Sequence, residues 1–504
     1  MRIIVIGAVA AGTSAAAKAR RNREDADIVI YDKDQYISYS GCGTPYAIGG
    51  WVAPEDLTPR GPAFFKEKYN IDVKTGHEVL SLSPKDHTLV VRSLADGTEF
   101  TDRYDILILA TGARAFTPPI PGVDLPHVFV LRNIGDMLKI RAFLQTHKPK
   151  AAVIAGTGAI GLELAENLAH LGLSVSMAEM MPQVLPILDE DMGAYVRAHL
   201  EAKGITLRTG SAVREITDSQ VLLQDGNALS GELVIVSAGI RPETRLASEA
   251  GIALGTTGAI KVDERMQTSE PDVYACGDCA ENLLLVTGKP AWRPLGSTAN
   301  KTGRIAGDTA TGGDLTFRGV LGTAIFRVFD LAVGLTGLTE RDARKEGYDV
   351  EVSHDTKISR VDYLGGKDLT IKAVADRVTG RLLGVQIVGE DGVDKRLDVF
   401  ATAITFGARA EDLFHLDLAY APPFSTAKDP VMYTGMILEN AIHRGRKLMT
   451  PDSLDAMTQS GAPVQIIDAR EPAQFEAGHI PGARNIPHSK LREAAEGKGD
   501  LTPL

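Results

Sequence analysis

The sequence reads as an α/β chain with two separate βαβ units, a compact α+β domain behind them, and the opening of a further α/β domain at its C-terminal end. Three observations carry that reading. Two stretches repeat one pattern: a β-rich run, a small-residue turn, an Ala/Leu-rich helix and a second β-rich run ending in an acid. Two buried-strand patterns, Leu107–Ala110 and Asp272–Ala275, run into the turns Thr111–Gly112 and Cys276–Gly277–Asp278. The segment after Pro451 starts afresh with the apolar run Val464–Ile467.

The first unit spans Ile3 to Asp32, with Gly7 and Gly12 in the turn, Ser14 to Arg21 as the helix and Ile28 to Asp32 as the second strand. The second spans Ala151 to Glu179, with Gly156, Gly158 and Gly161 in the turn, Leu162 to Leu171 as the helix and Val175 to Glu179 as the second strand. Glycines allow a tight turn and close backbone approach, the helix N-terminus faces a pyrophosphate, and the acid takes ribose hydroxyls. Two bound dinucleotides are therefore expected. The second unit has the full Gly-x-Gly-x-x-Gly spacing, with its acid 18 residues beyond Gly161. The first has Val9 where the middle glycine would stand, which leaves an ordinary βαβ crossover as its alternative.

From Arg318 to Met449 the chain shows alternation over Ala324–Val328, a strand-like run Leu369–Val374 and a helical stretch Leu397–Thr405, the plain pattern of a compact α+β domain. With 504 residues, 44% of them apolar and 24% charged, the chain can bury several cores. A net charge of −11 without a long Lys/Arg run excludes a general nucleic-acid binder. No stretch reaches the roughly 18 apolar residues of a membrane span. Gly7 and Gly12 punctuate the N-terminal apolar run as a strand-to-helix turn does, so it reads as domain and not as a signal peptide. Three cysteines are too few for a disulfide framework and fit a reducing compartment, with the cytoplasm as the expected location.

Cys42 stands between Gly41 and Gly43, just past the strand ending at Asp32. The segments ending in Thr111–Gly112 and Cys276–Gly277–Asp278 resemble the later nucleotide-contact segments of two-dinucleotide flavoprotein reductases. A thiol near a helix N-terminus opened by Gly43, and close to a flavin if the first unit binds FAD, is expected to favour the thiolate. Dithiol flavoenzymes place two cysteines five apart on this helix, but the positions five before and after are Ile37 and Ala47. No internal disulfide can form there, so the second sulfur of a redox cycle comes from the substrate, or the thiol cycles through sulfenic acid. Cys276 and Cys279 invite a redox or zinc reading, but no second Cys pair or His cluster completes a metal set. They read as small packed residues, and no metal is expected.

The turn Gly7–Ala8–Val9–Ala10–Ala11–Gly12, the stretch Ser38–Tyr46 around Cys42, and the run Tyr420–Ala421–Pro422–Pro423–Phe424–Ser425–Thr426–Ala427–Lys428–Asp429 resemble the coenzyme A-disulfide reductases. The C-terminal start resembles a rhodanese domain. Together the chain resembles the NAD(P)H coenzyme A-disulfide and polysulfide (persulfide) reductases with a rhodanese tail, single-cysteine members of the pyridine nucleotide-disulfide oxidoreductase family. This implies a two-dinucleotide-binding-domain flavoprotein with an FAD domain at 1–117 and 241–317 and an NAD(P)H domain at 118–240. An α+β dimerisation domain at 318–449 and an incomplete rhodanese-like domain at 450–504 follow.

The resemblance also implies function. NAD(P)H reduces FAD, and FAD reduces sulfur held on Cys42, the substrate being coenzyme A disulfide, coenzyme A persulfide or polysulfide. FAD is expected at Gly7, Val9, Ala10, Ala11, Gly12, Asp32, Lys33, Thr111, Gly112, Gly277 and Asp278, with Asp278 at the ribityl chain. The nicotinamide nucleotide is expected at Gly156, Gly158, Ile160, Gly161, Glu179 and Gly239. Glu179 disfavours a 2′-phosphate and Met180 and Met181 offer no cation, so NADH is expected ahead of NADPH. Tyr420 is the tyrosine that reaches the other subunit's cysteine in an obligate homodimer. Coenzyme A contacts fall at Ser14, Lys18, Arg21, Ser38, Gly41, Asn300 and Lys428, with Lys18 and Arg21 three apart on one helix face for the 3′-phosphate.

Departures from the family pattern matter too. Two successive tyrosines are common in the third domain, where this chain has Asp362–Tyr363. Relatives that reduce peroxide or oxygen carry a histidine at the position of Ala10, so a disulfide or persulfide substrate is favoured over the alternatives, an NADH oxidase or a redox-sensing flavoprotein. In rhodaneses the nucleophilic cysteine lies further on, but none follows Cys279. Asp468, Arg470, Glu471 and His479 thus read as the start of a fold whose catalytic half is missing, a fragment without sulfurtransferase activity and loosely ordered unless docked.

Overall fold

The computed structural model describes residues 1–496; the last part of the expected rhodanese-like domain, 497–504, lies outside the described residues. Two compact units form, Met1–Arg446 and the segment from Lys447 onward. In the first unit the strand Arg2–Ile6 lies between Asp27–Tyr31 and Ile106–Leu109, with Val273–Ala275 and Asp72–Lys74 at the edges of one five-stranded sheet. All four pairings are parallel, with Ile3 opposite both Ile28 and Ile106. A parallel sheet is covered on both faces, which explains why these strands read as unbroken apolar runs.

A second five-stranded parallel sheet repeats the plan, ordered Thr206–Thr209, Ser174–Glu179, Ala151–Ala155, Leu233–Val236 and Val128–Phe129. An antiparallel pair, Ala113–Ala115 with Ile240–Pro242, carries the chain between the two sheets. Three-stranded antiparallel sheets also form at His77–Arg103 and Val213–Ser230. The expected α+β domain is a five-stranded antiparallel sheet, ordered Ala324–Val328, Leu331–Gly337, Leu382–Gly389, Asp368–Asp376 and Val350–Ile358.

Helices start earlier than the glycine spacing suggests. Helix α1 runs Ala10–Asn22, not Ser14–Arg21, because Gly12 already lies inside it, where a Cβ would overlap the Gly7 carbonyl oxygen. Helix α2 is the short Thr44–Ile48 behind Cys42, and α3 is Ala159–His170, not Leu162–Leu171. Helix α4, Gly296–Thr309, packs along α1. A Cβ at Gly303 or Gly307 would overlap the carbonyl oxygens of Ala11 or Ala15, so the two helices meet backbone to backbone. Helix α5, Pro430–Arg444, is capped by Asp429, whose side chain accepts the Val431 N–H at 3.1 Å.

A buried ionic cluster ties the second sheet's region to the antiparallel sheet. Lys372, with a side chain 2% exposed, lies 2.8 Å from Asp191, 2.9 Å from Glu340 and 3.2 Å from Asp189. Asp189 also accepts the Glu340 and Arg341 N–H groups at a helix N-terminus. Desolvation opposes charge on Lys372, but these carboxylates outweigh it and raise its pKa.

The second unit holds helices Pro451–Gln459 and Pro472–Ala477 and a parallel pair, Ile467–Asp468 with Arg484–Asn485. Arg470 grips Asp468 at 2.5 Å and donates to the Gly478 carbonyl at 2.7 Å, while His479 stacks on Phe475. Glu471 sits at the N-terminal boundary of Pro472–Ala477.

Candidate active site

At the first glycine turn Gly7 has φ +106°, and a Cβ there would overlap the Ala110 carbonyl oxygen. The chain therefore crosses the end of the sheet at van der Waals closeness before Val9, Ala10 and Ala11 open α1, whose N-terminus no side chain caps. Asp32 accepts the Ala8 N–H at 2.7 Å and the Asp34 N–H at 2.8 Å; desolvation nonetheless raises its pKa. Gly7, Asp32, Lys33, Glu78, Thr111 and Arg245 are among the residues lining a cavity of about 150 Å³. An uncapped helix N-terminus beside an acid and a cavity suits a nucleotide with its pyrophosphate at the amides and its ribose at the carboxylate. These residues fit the ADP half of FAD.

Further along the same crevice, Thr111 donates to the Glu243 carbonyl at 2.6 Å, and Gly112 and Gly277 take φ +73° and +76°. Gly277 donates its N–H to Thr302 Oγ1 at 3.0 Å. Asp278 pairs with Arg132 at 2.9 Å, and Trp292 donates to its backbone carbonyl.

The second turn is built alike. Gly156 has φ +116° with the Ser237 carbonyl oxygen where a Cβ would lie, Gly161 packs against the Gly156 carbonyl, and Gly158 faces open space. Ile160 is exposed in the first turn of α3, and Gly239, at φ +95°, is open as well. Glu179 is only 9% exposed; its Oε2 takes the N–H and hydroxyl of Thr157 at 2.9 and 2.8 Å, and its Oε1 takes the Met181 N–H at 2.9 Å. Each acid thus braces its own turn, leaving the remaining lone pairs for a ribose.

Cys42 lies exposed in the 3₁₀ turn Gly41–Gly43 that leads into α2. The expectation of a stabilised thiolate is not met by the chain's own groups. Desolvation by the protein packed around it, followed by the charges of Glu163 and Asp278, raises the thiol's pKa, with Arg132 opposing. Helix α2 has five residues, too short to supply the N-terminal field the sequence suggested. Cys276 and Cys279 are fully buried, and burial raises both their pKa values, in keeping with packing roles.

The residues expected to contact coenzyme A fall into two groups. Ser14 on α1 donates to Asn300 Oδ1 on α4 at 2.7 Å, so these two are brought together. Ser38 holds a left-handed φ of 49° and donates its N–H to the Ala8 carbonyl, linking the Cys42 loop to the first turn. Arg21 is exposed, but Lys18 is spent on Asp308 at 2.8 Å, whose pKa stays at about 2 despite desolvation through bonds from Lys18 and Asn22. Lys18 and Arg21 do not present a shared free charge, because the acid on α4 claims one of them. Tyr420 (52% exposed) and Lys428 lie in the segment before α5, on the antiparallel-sheet domain. Tyr363 is 76% exposed in the turn Asp362–Leu364.

Comparison with known proteins decides the family. Residues 1–299 match the pyridine nucleotide-disulphide oxidoreductase model, 323–430 its dimerisation domain and 450–503 the rhodanese-like domain. The chain belongs to the pyridine nucleotide-disulphide oxidoreductases. Over 448 residues the oxidoreductase is 36% identical to the NAD(P)H coenzyme A polysulfide/persulfide reductase of Pyrococcus horikoshii, covering 87% of this chain and 98% of the relative. It is 37% identical over 437 residues to an NADH oxidase of Methanocaldococcus jannaschii, covering 86% and 97%. The reduced CoADR-RHD of Bacillus anthracis superposes with a TM-score of 0.96 at 36% identity, covering 99% of this chain and 90% of that one. The oxidoreductase uses FAD and NAD(P)H, and its two glycine turns fit those groups.

Several site residues escaped the sequence reading. Glu163, two residues beyond Gly161, is half-buried; desolvation, with Glu166 adding to it, pushes its carboxyl up to about 7. The Tyr46 hydroxyl donates to it, and desolvation followed by the Glu163 charge pushes Tyr46 up to about 12. Glu163 was within reach of a reading that followed the glycine motif two residues further. Arg132, 146 residues from its partner Asp278, carried no local signal. Among the described residues no group of three or more His, Cys, Asp or Glu could hold a metal ion, and no helix is long and apolar enough to cross a membrane.

Proposed function

We propose that this oxidoreductase uses NADH to reduce coenzyme A disulfide, coenzyme A persulfide or polysulfide through a mixed disulfide on Cys42. The observation that carries the reading is the thiol inventory around the site: Cys42 is exposed, and the other two cysteines are buried in the core. With no second thiol to pair with, Cys42 forms no internal disulfide, and a disulfide on it takes its second sulfur from the substrate. The P. horikoshii and B. anthracis relatives support that substrate class.

The Cys42 thiolate attacks the substrate disulfide RSSR, forming Cys42–S–S–R and releasing RS⁻. FAD, when bound, supplies the passage of two electrons from the nicotinamide to sulfur. Those electrons break the mixed disulfide, restoring the thiolate and releasing the second thiol, so that NADH + H⁺ + RSSR gives NAD⁺ + 2 RSH. Arg132 is the cation that offsets the acids around the thiol. Ser14, Asn300, Ser38, Gly41 and Arg21 line the approach from one subunit, and Tyr420 and Lys428 complete it from a second copy through the dimerisation domain. The FAD domain comprises 1–117 and 241–317, the NAD(P)H domain 118–240.

The test is anaerobic NADH oxidation by wild type and Cys42→Ser with coenzyme A disulfide or polysulfide as sole acceptor. Rapid turnover in wild type and none in the variant is expected. Failure with both acceptors, together with brisk NADH use in air, would replace this reading with the oxidase that the M. jannaschii relative suggests.

A further inference from the structure

Two lysines on the dimerisation domain converge on one aromatic ring. Lys357, near the end of the strand Val350–Ile358, places its ammonium 5.0 Å from the Tyr433 ring centroid, and Lys428 places its own 5.9 Å from the same centroid. Neither ammonium forms an ion pair among the described residues, whereas the neighbouring cations do: Arg396 is bound to Asp429 at 2.9 Å, and Lys395 lies 3.6 Å from the same carboxylate. Asp355, two residues before Lys357, is turned into the core and takes the Thr434 hydroxyl at 3.1 Å.

The pair is held in place. The buried Arg396 donates to the Ser359 carbonyl at 2.7 Å and to Ser425 Oγ at 3.1 Å, stitching the end of the Lys357 strand to the segment that carries Lys428. Tyr433 stands in the first turn of α5, three residues beyond Pro430. The ring rewards each cation separately, but the two like charges repel, and the one acid that acts on Lys357, the buried Asp355, does so at a distance and forms no ion pair with it. An anion reaching both would remove that repulsion and gain charge-assisted bonds.

Resting on the coenzyme A reading above, we infer that Lys357 joins Lys428 in a phosphate clamp across Tyr433, and that this clamp selects the phosphorylated end of coenzyme A over sulfur substrates that lack it. Lys428 comes from the family resemblance; Lys357 comes from the shared ring. Coenzyme A carries a pyrophosphate and a 3′-phosphate, so one ligand can meet two separated ammonium groups. Inorganic polysulfide and phosphate-free disulfides gain nothing from the pair.

The experiment compares wild type, Lys357→Met, Lys357→Arg and, as a change of the same kind on an exposed lysine elsewhere, Lys345→Met, all as holoenzyme. The readout is the ratio of kcat/KM for coenzyme A disulfide to kcat/KM for pantethine, the same disulfide without nucleotide or phosphate. Lys357→Met should lower the ratio about 10-fold or more through KM, the weight of one charge-assisted contact, with Lys357→Arg recovering most of it and Lys345→Met matching wild type. Coenzyme A binding by calorimetry should weaken in step and show a shallower salt dependence. An unchanged ratio and unchanged coenzyme A affinity in Lys357→Met overturn the clamp while leaving the proposed reaction intact. A wild type that neither binds coenzyme A nor reduces its disulfide overturns both.

Discussion

Tyr46 stands one helical turn beyond Cys42, and its hydroxyl donates to Glu163 Oε1 at 3.5 Å. The Cys42 loop and the second glycine-turn helix are thereby in direct contact, and an acid whose pKa is pushed up to about 7 lies within electrostatic reach of the thiol. Charge on Glu163 raises the Cys42 pKa; a neutral Glu163 releases that hold.

The first prediction follows from this pair. Glu163→Gln removes a negative charge present above pH of about 7, so the pH profile of Cys42 alkylation in the reduced enzyme shifts to lower pH. Glu163 also affects stability. Its folded pKa lies above the ordinary 4.5, so the native state binds more protons between about 4.5 and 7, and its stabilising effect is lost as pH rises through that window. Glu163→Gln flattens that slope. A profile that stays put in the variant would show that the two groups do not communicate.

The buried cation gives a second prediction. Lys372→Met strips three buried or half-buried carboxylates of their shared counter-charge, a change expected to cost about 3–5 kcal/mol. Thermal unfolding of the holoenzyme should begin at a clearly lower temperature than in wild type, and Lys345→Met should not move it. Equal melting curves would mean that the cluster relaxes by protonating its acids.

The third prediction separates the two turns. Gly7→Ala and Gly156→Ala each place a Cβ on a carbonyl oxygen at a positive-φ position. Gly7→Ala should yield protein that fails to retain flavin, seen as loss of the visible absorption band. Gly156→Ala should keep flavin yet raise the KM for NADH by at least about tenfold. Flavin loss in both would argue against separate sites.

The two glycine turns were legible because their information is local: a strand, a turn and a helix within 30 residues fix the cradle, and Gly7 and Gly156 do what their spacing says. The antiparallel sheets at His77–Arg103 and Val213–Ser230 were not read, because they are excursions that leave the parallel pattern on either side intact. The charge around Cys42 was misjudged for a different reason. Its neighbours Glu163, Asp278 and Arg132 come from distant parts of the sequence, and only the fold sets their signs against the thiol. Lys18 shows the same thing in miniature: helical spacing put it beside Arg21, and tertiary packing gave it to Asp308.

The backbone contact of α1 with α4 at Gly303 and Gly307 has an architectural result. Helices separated by side chains can slide by repacking them, but two backbones in contact have nothing to repack. Ser14 and Asn300 therefore sit on a single rigid bracket, bolted together at Ala11 and Ala15. Change along this face is left to outward positions such as Arg21, because the seam itself does not tolerate one added methyl group.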